Sequence, residues 1–458
     1  MPTDDKTPAD AMHFSSLSLK NVRAFGSQQS IAFVGEDGAI SRWNLILGEN
    51  GVGKTTLMQA IAVMRPVPAY EKPDDLAPTI FMPELSEHEK DDDISHFIRR
   101  GGPGEATIVA LLSIMGERSV EVGVTISGSV KLEDVKWRNN ALIQNGGGPL
   151  VIGYGAGRHV GKDNLEDVGE RDATGSLFGP AIDLYDAELI ILNLHHAALT
   201  HPDPKSGPDA RRLQALKAVV ASLLPAGLTA DDIEVRGPRI AGRDPDQSGV
   251  HVRTPSGFTS LTDLSLGYQT MFALTVDLAW RLFNAFPKSA EPLRESAIVL
   301  IDEVDLHLHP QWQRQLRRHM LAHFPQVQFI VTSHSPITAQ ETLSAMSEGS
   351  STLSVVHWAD GEAHILNNPI PRGEWRSDQL LESELFGFGA DRSKEAERKI
   401  YERIALSRNP ARSADQEAKL RELDEFVASL PTAPSPDIQT FEDLIMNVAK
   451  DYPKSLVP

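Results

Sequence analysis

The chain has 458 residues, a formal charge of −19, 41% apolar and 23% charged residues, and no cysteine. Its length exceeds one hydrophobic core, so two lobes or domains are expected, and the acidic balance excludes a protein that coats nucleic acid through its net field, though not one with a local basic groove. Disulfides and thiolate metal sites are excluded, no run reaches the roughly 18 apolar residues of a membrane span, and residues 1–13 lack the regions of a signal peptide, so the expected location is cytoplasmic.

Residues 1–13 are polar, with two prolines, and are expected to be disordered. Residues 14–25 and 30–34 read as paired strands. The apolar run at 43–47 reads as a buried strand, and residues 57–63 as a helix. Between them stands Gly48-Glu49-Asn50-Gly51-Val52-Gly53-Lys54-Thr55-Thr56. Strand, glycine-rich turn and helix form the context in which G-x-x-x-x-G-K-[ST] binds a nucleoside triphosphate. The glycines let backbone N–H groups close around phosphate oxygens, and the helix start adds partial positive charge. Gly48, Asn50, Gly51, Gly53, Lys54, Thr55 and Thr56 are thus the ATP-binding candidates. Lys54 reaches the β- and γ-phosphates, and the Thr55 hydroxyl ligates Mg²⁺.

Residues 65–104 carry six prolines and the acidic run 89–93, a composition expected of a surface insertion. Stretches 106–115, 119–127 and 130–137 read as strands of one sheet. A further strand at 149–154 leads into Gly153-Tyr154-Gly155-Ala156-Gly157-Arg158, expected as a loop near the first site. Helices are expected over 181–199 and 209–224. Neighbouring His195 and His196 point in different directions on the first of these and are read as structural. A hairpin over 233–240 and 249–254 precedes Leu264-Ser265-Leu266-Gly267-Tyr268-Gln269 and an apolar helix at 270–286. The buried strand 297–301 then ends in Asp302-Glu303. A helix over 310–323, whose Arg314, Arg317 and Arg318 offer a local basic face, separates it from a strand at 327–332 ending in Ser333-His334-Ser335-Pro336.

Beyond residue 377 the pattern changes to charged helices. Ala396, Ile400 and Ile404 share a face, and Leu420, Leu423, Val427 and Leu430 form a coiled-coil-like seam. After a proline-rich linker, Phe441, Leu444, Ile445 and Val448 mark another amphipathic helix.

Two carboxylates at the end of a buried strand sit where such sheets place their ligands. Asp302 suits a role at Mg²⁺, and Glu303 suits orienting or deprotonating the attacking water. His334 can hydrogen-bond the γ-phosphate or that water. Ser265 and Gly267 open a helix and offer a hydroxyl and N–H groups to an anion.

The order phosphate loop, L-S-x-G, strand with D-E and switch histidine resembles the ATP-binding-cassette class, in the soluble branch with SMC-like and RecF-like heads. F-S-S-L-S-L-K-N-V-R-A-F and G-E-N-G-V-G-K-T-T fit that branch. V-L-I-D-E-V-D-L-H-L-H-P-Q-W-Q and F-P-Q-V-Q-F-I-V-T-S-H-S-P are similar to the AAA ATPases of prokaryotic phage-defence operons. The resemblance implies an α/β P-loop head over 14–376, with a mixed sheet core, an antiparallel β subdomain and a helical signature lobe at 181–286. A helical partner-docking or dimer-docking tail would cover 377–458. It implies ATP and Mg²⁺ as ligands, an ATP-sandwich homodimer or higher even oligomer, and a nuclease effector such as an HNH protein as partner, with no membrane. By the same resemblance Asp305 lies in a loop facing the opposite subunit, Gln144 is the Q-loop candidate, and His307 and His309 belong to the family pattern rather than to zinc. Tyr268 departs from the usual signature residue.

The alternative is a RecF-like repair ATPase that binds DNA directly, which the acidic balance disfavours. A fused Toprim nuclease would need a D-x-D pair, which the residues after His334 lack. A transporter head would not open on L-K-N-V-R-A-F. Between residues 56 and 265 no heptads support a long coiled-coil arm.

Overall fold

The computed structural model describes residues 11–68, 80–83, 94–114, 118–127, 136–138, 141–142, 148–158, 173–179, 184–224, 228–237, 248–254, 257–306, 308–346, 349, 351–369 and 414–429. The chain divides into two units, residues 1–386 and 387–458. In the second, the described part is the helix Ala414–Ser429, on which Leu423 is buried. The expected seams through Ala396, Ile400 and Ile404 and through Phe441, Leu444, Ile445 and Val448 lie outside the described residues, as do Leu430 and residues 1–10. No described helix is long and apolar enough to cross a membrane.

The first unit opens with β1 (Met12–Lys20), β2 (Gln29–Ala32), β3 (Trp43–Gly48) and α1 (Lys54–Val63). Strands β4 (Pro66–Pro68), β5 (Ile80–Pro83), β6 (Glu105–Ile114), β7 (Arg118–Ser127), β8 (Lys136–Arg138), β9 (Ala141–Leu142) and β10 (Val151–Tyr154) follow. Next come α2 (Ala187–Thr200), α3 (Pro208–Ser222), β11 (Ile233–Val235), β12 (Val250–Thr254), β13 (Gly257–Ser260) and α4 (Leu266–Ala285). The last part runs β14 (Ala297–Ile301), α5 (Pro310–His323), β15 (Val327–Ser333), α6 (Pro336–Met346), β16 (Ser351–Ala359) and β17 (Glu362–Asn367).

The central sheet has the order β10-β14-β15-β3-β16-β17, parallel except for its edge strand β17. Every residue of β14 and β15 is buried, as expected of parallel strands covered on both faces; β14 is an unbroken apolar run, and the polar Gln328, Thr332 and Ser333 of β15 are hydrogen-bonded. Side chains alternate between two cores. Trp43, Leu45, Leu47, Val299, Ile301, Phe329 and Val331 join one, which the helices α2 to α6 complete. Ile46, Ile298, Leu300 and Ile330 join the other, with α1 and the inner residues of β1, β6 and β7. That second cover is the antiparallel sheet β2-β1-β6-β7-β8. Helix α1 therefore lies between two sheets, which explains why nine of its ten residues are buried and why it shows no polar stripe. The result is a layered α/β head with an antiparallel β cover and a helical lobe.

One expectation is corrected. The stretch 65–104 is not wholly a surface insertion: Phe97 is 1% exposed and packs in the second core, while β4 and β5 pair with each other and β9 adds to β5. A single aromatic anchors a segment whose average composition is that of a loop. The hairpin expected over 233–240 and 249–254 is found as β11 and β12, and β13 extends it into a small antiparallel sheet within the lobe over 181–286.

Besides the ties of β2 to β17 through Gln29 and Asn367, one buried side chain of the central sheet meets the antiparallel cover at a break in its ladder. The register of β1 against β6 shifts between Phe14 and Ser16, a bulge at which ladder bonding is interrupted. Gln328, fully buried on β15, takes up both groups of Phe14. Its Oε1 accepts from the Phe14 N–H at 2.9 Å, and its Nε2 donates to the Phe14 carbonyl at 2.8 Å. Gln328→Leu strands a buried N–H and a buried carbonyl, and should cost about 2–4 kcal/mol. Calorimetric unfolding measures this, and a loss under about 0.5 kcal/mol would show that the bulge is satisfied some other way.

Candidate functional site

Strand β3 delivers the chain to the phosphate loop, and Gly53 starts α1 in the left-handed region at φ 108. A Cβ on Gly53 would stand 3.0 Å from the Phe25 ring, so conformation and space both demand glycine here. No side chain caps α1 and no acidic residue occupies its first turn, so its leading N–H groups face the loop unneutralised. Asn50, Gly51 and Thr55 are exposed, whereas Thr56 is buried.

Lys54 is only 6% exposed. Its ammonium donates to the carbonyls of Gly48 and Glu49, each at 2.8 Å, and to Nε2 of His334 at 2.7 Å. An ammonium has no acceptor, so Nε2 carries the lone pair and a neutral ring holds its proton on Nδ1. Burial, then the neighbouring Lys54 charge, lowers the His334 pKa below that of an ordinary imidazole. Burial likewise lowers the Lys54 pKa, against the opposing pull of Asp302 and Glu303. This loop holds a desolvated cation folded onto its own backbone, and a phosphate oxygen is a stronger partner for it than the two carbonyls.

The carboxylates stand two strands away from β3, at the end of β14. Thr55 Oγ1 donates to Asp302 Oδ2 at 2.7 Å, and Thr332 Oγ1 donates to Asp302 Oδ1 at 2.5 Å. Thr332 also accepts the Glu303 N–H at 2.7 Å. Glu303 adopts φ 48, a left-handed conformation that costs a non-glycine residue about 1–2 kcal/mol and persists only where its surroundings hold it. The adjacent oxygens of Thr55 and Asp302 suit Mg²⁺, which takes one or two protein ligands and fills its shell with phosphate oxygens and water.

Several participants were not anticipated. Arg158 is 8% exposed and donates to the carbonyls of Asp302 at 2.6 Å, Glu303 at 2.8 Å and Gly155 at 3.1 Å. The loop after β10 thus does border the first site. Gly155 is obligatory in it, because a Cβ would fall 2.1 Å from the Ser176 carbonyl. An arginine directly behind a glycine-rich strand end was the available signal. Ser335 Oγ donates to Gln313 Oε1 at 2.6 Å, which ties the His334 turn to α5. Gln144 and His307 lie outside the described residues, and His309 caps α5 by accepting the Gln311 N–H.

Ser265 and Gly267 are not joined by any described hydrogen bond to Lys54, Thr55, Asp302, Glu303 or His334. Ser265 is the exposed N-cap of α4 and makes no capping bond with its side chain, and Leu266 beside it is 59% exposed. Tyr268 packs edge-on to Trp312, ring centroids 5.1 Å apart. The expected basic face on α5 is not formed as supposed. Arg317 is 7% exposed and Arg318 pairs with Glu341 at 3.7 Å.

Residues 167–339 match the family described as "AAA domain, putative AbiEii toxin, Type IV TA system", and residues 16–64 match a second described as "AAA domain". The chain resembles the Septu protein PtuA of Bacillus mycoides (strain KBAB4), 25% identical over 75% of this chain and 41% of that protein. It also resembles the "Retron Ec83 probable ATPase" of Escherichia coli, 49% identical over 17% of this chain and 14% of that one. The matched region thus spans less than half the length of these relatives. Among solved structures the SMC head domain from Thermotoga maritima aligns over 78% of this chain and 98% of that chain, with 16% identity and a TM-score of 0.42.

By NMR, the His334 ring should titrate below the usual value near 6.5. In Lys54→Met the midpoint should rise, since the second cause of the depression is gone, yet stay below the usual value because burial remains. An unmoved midpoint would show that Lys54 exerts no field on this ring.

Proposed function

We propose that the chain is an ATPase that closes as an ATP-sandwich dimer and controls a partner effector, a nuclease, in defence against phage. The observation that carries the ATPase reading is the meeting of Lys54, His334 and the Thr55–Asp302–Glu303 set at one edge of the sheet, from three adjacent strand ends. On this reading Lys54 and the start of α1 hold the triphosphate. Thr55 and Asp302 hold Mg²⁺, which when bound supplies charge to the β,γ-phosphate oxygens. Glu303 orients and deprotonates the attacking water, and neutral His334 hydrogen-bonds the γ-phosphate or that water.

Support for a shared site is the exposed start of α4, where uncapped N–H groups and Leu266 face outward. A second copy bringing Ser265 and Gly267 to the γ-phosphate would cover both and complete the anion site. ATP then binds two subunits, and hydrolysis biases an open–closed equilibrium. The likeness to PtuA and to the retron ATPase supports the defence role. Direct DNA binding is less well supported, since of the arginines on α5 Arg317 is buried and Arg318 is ion-paired, which leaves Arg314 as the exposed one.

Lys54→Ala and Ser265→Arg should each be inactive alone, the first for want of charge and the second because a long cation fills the γ-phosphate pocket. Mixed, they should regain part of the turnover, since one composite site keeps both elements. Wild-type hydrolysis by Ser265→Arg alone would rule out the sandwich. Purification of the tagged protein from its native host should bring down a nuclease; duplex DNA alone would favour the RecF-like alternative.

A further inference from the structure

Resting on the ATPase reading, we propose that Arg158 is a positioning residue for Glu303, setting the direction of the carboxylate by clamping the backbone that carries it. Five contacts to the backbone of Asp302 and Glu303 hold the left-handed turn at the end of β14. The Asp302 N–H donates to the Tyr154 carbonyl at 2.8 Å, and the Glu303 N–H donates to Thr332 Oγ1 at 2.7 Å. The two carbonyls that follow, of Asp302 and Glu303, are both taken by the one guanidinium of Arg158. The N–H side of the turn is thus held by a neighbouring backbone and a buried hydroxyl, and the carbonyl side by Arg158, with the Glu303 carbonyl also accepting the Leu306 N–H at 3.0 Å.

The choice of residue is informative. A guanidinium is planar, and its parallel donors fix the relative orientation of two acceptors, which an ammonium cannot do. Among the described residues, Arg158 has no carboxylate oxygen within ion-pair distance, and its Nε is buried without a partner. Burying an arginine on carbonyls alone is unfavourable unless the nearby negative field compensates, and Asp302, Asp305 and Glu303 supply that field. The charge is therefore retained by the same carboxylates whose backbone it aligns. Gly155 serves this arrangement, because only a glycine lets the loop pass close enough to Ser176 to bring Arg158 down onto the strand end.

A second role, merely anchoring the loop 155–158, is separable by coupling to Glu303. In Arg158→Met, turnover should fall about 10- to 100-fold while ATP affinity changes less than about threefold. Arg158→Lys should recover part of it, since a point charge reaches one carbonyl but does not align two. In a Glu303→Gln background the further change Arg158→Met should leave the residual turnover unaltered, because the group it positions is already gone. A loss that multiplies with Glu303→Gln, or one that appears in ATP affinity instead of turnover, would overturn the assignment. If Arg158→Met does not fold, Arg158→Lys in the same two backgrounds decides the question by the same coupling. A wild-type protein without ATP hydrolysis would sink the ATPase reading and this inference with it. An active wild type matched in turnover by Arg158→Met and Arg158→Lys would sink this inference alone.

Discussion

One carboxylate held by two hydroxyls sets the geometry of the whole site. Asp302 accepts from Thr55 on α1 and from Thr332 on β15, so a single side chain ties the phosphate-loop helix to two strands of the sheet. Each donor is a stiff, β-branched residue on a buried element, which leaves the carboxylate little rotational freedom. Lys54 is placed independently, by the turn that precedes α1, and meets His334 rather than the acid. The two halves of the candidate site are thus fixed by separate devices and share one rigid floor, the strands β3, β15 and β14.

A second polar group joins this edge to the helix that begins with Ser265. Asp277 of α4 is fully buried and accepts from the Tyr154 hydroxyl at 2.7 Å, from Arg281 at 2.7 Å and from the Tyr185 N–H at 3.0 Å. Tyr154 is the last residue of β10 and its carbonyl receives the Asp302 N–H. Burial of this carboxylate is tolerable because a cation and two neutral donors satisfy it, and the network makes α4 and the strand end one mechanical body.

Much of this was legible in the sequence where the signal is local. The glycine spacing marked the phosphate loop, and the helix expected over 310–323 was found over the same residues. The continuous apolar run of β14 marks a strand buried on both faces, as parallel strands are. What escaped were residues whose meaning lies in strand order. Arg158 and Glu303 meet because β10 lies beside β14, and Thr332 reaches Asp302 because β15 lies on its other side; no periodicity encodes that adjacency. Arg317 misled for a different reason. A cation on an amphipathic helix reads as solvent-facing, but this one is buried beside Leu316 and Met320 and approaches Ser351. Phe97 was hidden by averaging, since one buried ring cannot offset the prolines and acids around it.

The position of β3 in the sheet bears on how the protein is made. Both of its neighbours, β15 and β16, come from the far part of the chain, so the strand that carries the phosphate loop emerges from the ribosome long before anything can pair with it. Roughly 280 residues separate the end of β3 from the start of β15, which at about 5–20 residues per second is about 15 to 60 s of synthesis. Throughout that interval an apolar segment, Trp43–Gly48, has no edge to join, and the nascent chain has no nucleotide site to be stabilised by ligand. Chaperone demand should therefore fall late and abruptly, once β15 and β16 arrive to close the sheet on either side of β3.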